Sequence, residues 1–270
     1  MSTEPTSQPP SAAGAVPRPA PAPSGTSQLP LDEMRARIAA AFTTEVDPAD
    51  LPPRRQLAWR IGDAARNIVE RLVDTRATDE ALETVGALLE QTAERLEGFE
   101  HGRRYESWAE ASTAGGVGSA DGGPPEGHLD YSPIVGRANP LAPPIDIRLE
   151  IEGEHPVVVG TVTFGSAYEG PPGSVHGGLV AAAFDEVMGA AQALSGQPGM
   201  TGTLTVVYRS PTPLRVPLRF EARLDKVEGR KLFVAGRVTA GETLCAEATG
   251  VFISVDFERL VELQRRRDGG

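Results

Sequence analysis

The stretch Leu179 to Leu194 (LVAAAFDEVMGAAQAL) is built almost wholly of apolar and small residues, yet it carries Asp185 and Glu186 near its centre. A carboxylate can take a proton from water or attack a carbonyl carbon, and burying one without a partner or a task is costly. At about 100° per residue, Leu179, Ala183, Val187, Ala190 and Leu194 form one helical stripe; Gly178, Ala182, Asp185, Gly189 and Gln192 form the opposite one. That second stripe is small enough to admit another helix, and it presents Asp185, whereas Glu186 points elsewhere. A wet edge of the domain is the plain alternative for Asp185. Immediately upstream stands Val175-His176-Gly177-Gly178. Two glycines opening a helix leave backbone N–H groups bare with the positive end of the dipole behind them, a place where a carbonyl oxygen is polarised. A tight turn explains Gly177 and Gly178 equally well, and His176 fits a structural role better than that of an acid or base.

The elements around these residues follow from periodicity. A helix is expected from roughly Gly178 to Leu194, closed by Ser195-Gly196 and Pro198. Before it, Ile145, Ile147, Leu149 and Ile151 alternate with Asp146, Arg148, Glu150 and Glu152, the pattern of a half-buried strand, and a hairpin through Gly153 to Pro156 leads into Val157 to Phe164. After it come strands at roughly 202–209, 218–227, 231–239 and 243–255. In the last, the apolar parity moves from Leu244, Ala246 and Ala248 to Val251, Ile253 and Val255, so a bulge is expected near Gly250. A strand pair, one apolar helix and four further antiparallel strands make an α+β fold in which the sheet wraps the helix.

Residues 1–30 are mostly Pro, Ser, Ala, Thr and Gly and are expected to be disordered, with no apolar run behind a basic start to make a secretory signal. Residues 31–110 read as a helical region. Its stripes are Leu31, Met34, Ile38 and Phe42; then Leu57, Ile61, Ala65, Ile68 and Leu72; then Leu82, Val85, Leu89, Leu96 and Phe99, the last helix opening at Thr78. Residues 111–127 form a Gly-rich linker without the lysine of a phosphate-binding loop, 128–258 the α+β domain, and 259–270 a charged tail. A net charge of −11 disfavours nucleic acid, and the longest apolar run is interrupted by charge, so no membrane span is expected. The single cysteine, Cys245, excludes an intrachain disulfide and fits a reducing cytoplasm. It reads as a small core residue.

The stretch YEGPPGSVHGG, Asp185 nine residues after His176, Met200-Thr201 sixteen after Asp185, and Tyr208-Arg209-Ser210-Pro211-Thr212-Pro213-Leu214 resemble the hotdog-fold acyl-CoA thioesterases of the PaaI type, most closely the branch called thioesterase superfamily member 4-like. Arg137-Ala138-Asn139-Pro140 is similar to a segment of bacterial members of that branch. The resemblance covers about residues 130 to 256. It implies a hotdog fold, hydrolysis of an acyl-CoA to free acid and CoA, and no metal or organic cofactor. Carried over, Asp185 is the nucleophile or the general base, Thr201 a polar partner, the Gly177 amide the carbonyl polariser, and His176 a brace for its loop. Some relatives place Asn or Gln about six residues before the His-Gly-Gly, where this chain has Gly170, so no side-chain donor comes from there.

Gly177 and Asp185 are eight residues apart, hence about 12 Å along a helix, too far for both to touch one thioester carbon. Two antiparallel helices packed through Gly178, Ala182, Asp185 and Gly189 bring Asp185 of one subunit to Gly177 of the other, so a homodimer or a dimer of dimers is expected. Arg209 and Arg215 flank the Pro-rich turn as candidates for the CoA phosphates, with solvation as the alternative. Tyr168 lines the acyl pocket or packs. The rival reading is a hotdog module that binds acyl-CoA without turnover, its helical region docking a partner; a dehydratase lacks the His–Asp pairing on the central helix.

Overall fold

The computed structural model describes residues 47–99, 128–153, 155–197 and 199–255, together with Pro30 and Asp32. The expected helix on the Leu31 to Phe42 stripe, the linker 111–127 and the charged tail lie outside these residues.

Six strands form one antiparallel sheet: β1 (Asp146–Glu152), β2 (His155–Val162), β3 (Gly199–Tyr208), β4 (Leu218–Glu228), β5 (Lys231–Ala240) and β6 (Thr243–Ser254). Their order is β1-β2-β4-β5-β6-β3, which leaves β3 at an edge. Two further helices, α1 (Pro53–Val73) and α2 (Asp79–Glu97), precede the sheet, and α3 (Gly177–Gln192) lies on one face of it. This is the α+β, hotdog-type arrangement that the alternation and the single apolar helix require.

The core forms where β4 turns Leu218, Phe220, Ala222 and Leu224 toward α3, whose Val180, Ala183, Phe184, Val187, Met188, Ala190 and Ala191 are buried. Phe184 meets Phe220 edge to face at 5.2 Å between centroids. Burial of each such side chain contributes roughly 1.5–3 kcal/mol, which outweighs the neutral helix propensity of Val and Phe. On its other face β4 alternates into charge, with Arg219 bridging Glu150 at 2.6 Å and Glu221 at 2.7 Å. The expected core stripe of α3 is too narrow: Leu179 is only half-buried, and Val180, Phe184 and Met188 carry the packing. Gln192, expected on the open stripe, is buried at 3% exposure because the chain turns back over it through Gly196, at φ 75°.

The bulge expected near Gly250 is not there. Ala246, Ala248, Gly250 and Phe252 keep one parity and face α3. A Cβ on Gly250 would lie 2.9 Å from Met188 Cε, so this glycine makes room for the helix and marks no irregularity of its strand. Val251 and Ile253 therefore face outward. The extra residues sit at Cys245, opposite Val238 and Thr239, at Gly202 in β3, opposite Val251 and Phe252, and at Asp225 in β4, opposite Phe233 and Val234. Cys245 is buried, which raises its thiol pKa and agrees with a packing role.

Helix α1 docks on the domain by an unexpected face. Its apolar stripe, Leu57, Ile61, Ile68 and Leu72, is exposed, while Trp59 and Gly62 are buried. Arg55, Trp59, Gly62, Arg66 and Glu70 recur at helical spacing and meet the domain. Arg55 pairs with Asp130 at 2.6 Å, Arg66 donates to the carbonyls of Arg137 and Asn139 at 2.7 Å each, and Arg137 stacks on Trp59 at 4.7 Å. Periodicity of apolar residues cannot register such a contact, because it is made largely of an ion pair, cation–ring stacking and hydrogen bonds to backbone. In α2, Thr78 caps the helix by accepting from the Ala81 N–H, as expected, and no residue of the helix is buried. Among the described residues no helix is long and apolar enough to cross a membrane.

Candidate active site

Asp185 stands in the third turn of α3. After α3 a 3-10 turn (Ala193–Ser195) and Gly196 reverse the chain, and β3 runs back beside its own helix. That return brings together two residues sixteen apart in sequence: Thr201 Oγ1 donates to Asp185 Oδ1 at 2.6 Å. So short a bond to a carboxylate is a charge-assisted one. It fixes one oxygen and the rotamer, and Oδ2 carries no bond to any of the described residues. Glu186, one residue on, turns toward Ser132, whose hydroxyl lies 3.4 Å from Oε1. Burial pushes the Glu186 carboxyl up to about 7, the Asp185 charge adds to this, and the Ser132 hydroxyl opposes it.

The other end of α3 is also built. The His176 side chain caps the helix, its Nδ1 accepting the Gly178 N–H at 3.1 Å. Accepting there leaves Nδ1 without a proton and puts the ring proton on Nε2. His176 thus braces the turn by a bond that an imidazolium would lose. Gly177 opens the helix, so its N–H has no intrahelical acceptor, and its carbonyl accepts from Tyr208 Oη at 2.6 Å. Tyr208 belongs to the quoted motif but was assigned no role. Its signal in the sequence is only its position at the end of a strand adjoining the helix. Gly170 explains the missing side chain of the resemblance: a Cβ there would lie 2.7 Å from His176 Cα, so the loop closes on His176 only with glycine at this position.

The structure therefore brings Asp185 to Thr201, and Gly177 to His176, Gly178 and Tyr208, but not one group to the other. Both lie on one continuous helix, about 12 Å apart by its rise. The remaining candidates are engaged within the chain. Tyr168 is half-buried, meets Phe164 edge to face at 5.6 Å and donates to the Leu141 carbonyl at 3.3 Å; burial raises its pKa. Arg209 pairs with Glu247 at 2.8 Å. Arg215, at φ 58°, pairs with Asp74 at 2.8 Å and donates to the Ser166 hydroxyl. Each arginine is already neutralised by a carboxylate, which weakens the case for either as a phosphate ligand; Arg215 instead ties α1 to the domain.

The chain is 35% identical to a thioesterase superfamily protein of solved crystal structure, covering 73% of this chain and 90% of that one at a TM-score of 0.60. The chain belongs to the thioesterase superfamily. That match is longer than residues 128–270, so it takes in part of the helical region of this thioesterase superfamily member. A sequence model of the superfamily matches residues 172–247, from the glycine loop into the first part of β6. Among curated proteins, the chain is similar to acyl-coenzyme A thioesterase THEM4 of Mus musculus, 40% identical over 93 residues, which are 34% of this chain and 40% of that protein. It is also similar to acyl-coenzyme A thioesterase THEM5 of Homo sapiens, 32% identical over 96 residues, 35% of this chain and 39% of that one. The matched segments thus span about two fifths of the length of these curated relatives.

Proposed function

We propose that this protein hydrolyses the thioester of an acyl-CoA to a free acid and CoA, with Asp185 as general base. The observation that carries the reading is the 2.6 Å bond from Thr201 to Asp185, which orients a carboxylate and leaves its second oxygen for a water molecule. The water oxygen attacks the thioester carbon while Asp185 takes its proton. The Gly177 N–H, at the positive end of α3, holds the oxyanion of the tetrahedral intermediate. The C–S bond then breaks, and the departing CoA thiolate takes from Asp185 the proton it had accepted, which restores the carboxylate. The similarity to proteins named acyl-coenzyme A thioesterase supports the substrate class.

The separation of Gly177 from Asp185 supports a site shared between two copies of the chain. Along the stripe Gly178 is exposed and Ala182, Asp185 and Gly189 are only half-buried, and the edge strand β3 beside it exposes Met200, Val207 and Tyr208. Both features suit a homodimer. The module 128–258 carries the chemistry, and the helical region is an addition to it. A lone cysteine supports a cytoplasmic location.

Thiol release across short, long and aromatic acyl-CoAs tests the activity. Asp185→Asn is expected to lower turnover by at least about two orders of magnitude while binding of a non-hydrolysable acyl-CoA analogue persists. A single turnover in ¹⁸O water should put the label in the acid and none in Asp185. Label in the aspartate would show an acyl-enzyme, and wild-type turnover by Asp185→Asn would remove this residue from the reaction. Tight binding of acyl-CoA without thiol release would favour a binding module.

A further inference from the structure

Glu70, near the C-terminal end of α1, lies outside the segment that the superfamily model matches, and it reaches the loop before the glycine turn. Its Oε1 accepts the Ser166 N–H at 2.7 Å and its Oε2 the Ala167 N–H at 2.9 Å. A Cβ on Gly165 would collide with both oxygens, so the sequence leaves a space there that the carboxylate fills. Burial opposes the charge, but the Ala167 and Ser166 N–H groups, with the Ser166 hydroxyl and the Arg215 charge, outweigh it and hold the carboxyl below its ordinary range. From this loop the bonding continues. The Tyr168 carbonyl accepts the His176 N–H at 2.9 Å, and His176 Nδ1 accepts the Gly178 N–H at 3.1 Å. Arg215 holds the same loop, donating to the Ser166 hydroxyl and, through its own N–H, to the Phe164 carbonyl at 2.8 Å, and its guanidinium stands 3.8 Å from Glu70 Oε1.

We propose that Glu70 is a positioning residue: by gathering the Ser166 and Ala167 N–H groups it sets the Tyr168 carbonyl that holds His176, and so aims the N-terminal turn of α3 at the substrate carbonyl. The consequence for activity rests on the proposed role of the Gly177 amide; the mechanical link does not. A carboxylate is required because two convergent donors need two acceptors, and an amide offers one acceptor and sets an NH₂ group against the second N–H.

The test uses the full chain and two readouts. Amide hydrogen exchange and the imidazole ¹⁵N shifts report the link without any substrate. In Glu70→Gln, exchange at His176 and Gly178 should rise about tenfold, the effect of losing one charge-assisted bond, and the His176 Nδ1 signal should move away from that of an acceptor. Trp59→Leu, about 16 Å away along α1, loosens docking of the same helix and should leave both signals in place. Turnover of acyl-CoA by Glu70→Gln should fall at least about fivefold with KM within about twofold, since the bound ester is held but its carbonyl is less polarised. Gly165→Ala, which displaces the carboxylate without altering its charge, should reproduce both effects and serves should Glu70→Gln not fold. Faster exchange confined to Ser166 and Ala167, or unchanged kcat in an active protein whose His176 signal has moved, would overturn the proposal. A wild-type chain that releases no thiol from any acyl-CoA would sink the proposed function alone, and the exchange data would still decide the link.

Discussion

Glu186 makes the stability of this fold fall with pH, and Glu186→Gln isolates the effect. The carboxyl sits beside Asp185 on α3 and, among the described residues, its one hydrogen-bond partner is the Ser132 hydroxyl at 3.4 Å; Ser132 is itself fully buried with the Ile134 and Val135 N–H groups already on its oxygen. Burial first, and the Asp185 charge second, raise the folded-state pKa from 4.5 to about 7. Below pH 4.5 the group is protonated in both states and contributes no difference. Between 4.5 and about 7 the folded state keeps a proton that the unfolded chain has released, so stability drops as pH rises through this window and levels off above it. At 1.36 kcal/mol per pH unit, the full loss is about 3 kcal/mol. Gln cannot ionise, so the variant should match the wild type near pH 4.5 and exceed it by up to about 3 kcal/mol at pH 8. Urea unfolding at half-unit steps from pH 4.5 to 8, with m shared between the two proteins, measures the difference. A gap that stays constant across the window would show that Glu186 titrates normally and that its neighbours do not hold its proton.

Three further outcomes follow from the geometry. Thr201→Ala should lower turnover less than Asp185→Asn, because the hydroxyl only orients the carboxylate, and thiol-release assays of the two side by side would expose a misassignment if the order reversed. Gly62→Ala should detach α1, since the added methyl meets the backbone of Arg137 and Ala138, which cannot swing aside; earlier proteolysis within 53–73 and a change in Trp59 emission would register it, and neither change would mean that α1 docks elsewhere. Gly177→Val and Asp185→Asn, each inactive alone, should recover part of the activity once subunits exchange, because one of the two shared sites then carries neither defect. No recovery, with exchange confirmed by mass, would mean that each chain builds its own site.

The sequence made the domain legible where one face of an element meets apolar neighbours. Period 2 in residues 145–152 and the mostly apolar helix before Ser195-Gly196 located β1 and α3 to within two residues, because burial against a sheet selects those patterns directly. Parity failed at Gly250 for the same reason it usually works. A glycine has no side chain to declare its face, so the count passed through it as though a residue had been inserted, when the space belonged to Met188. The pairing of Asp185 with Thr201 was legible through resemblance and not through period. Nothing in the local pattern says how tightly the chain returns after a helix, and the reversal at Gly196 decides it.

The docking face of the helical region was illegible for a deeper reason, although α1, α2 and the Thr78 cap were legible. A hydrophobic stripe identifies the face that seeks an apolar partner, and on α1 that face, Leu57, Ile61, Ile68 and Leu72, is exposed. The face that docks reads as polar, since Arg55, Arg66 and Glu70 bond to an aspartate and to backbone carbonyls and N–H groups. Its spacing of i, i+4, i+7, i+11 and i+15 from Arg55 to Glu70 is as regular as any apolar stripe, but ordinary solvation produces the same spacing at no cost. Only the glycines discriminate. Gly62 within the helix and Gly165 opposite Glu70 each occupy a position where a methyl group would collide, and a solvated helix face has no use for such gaps. Paired glycines facing a charged helical stripe are therefore the sequence signal by which polar docking of this kind is distinguished from a wet surface.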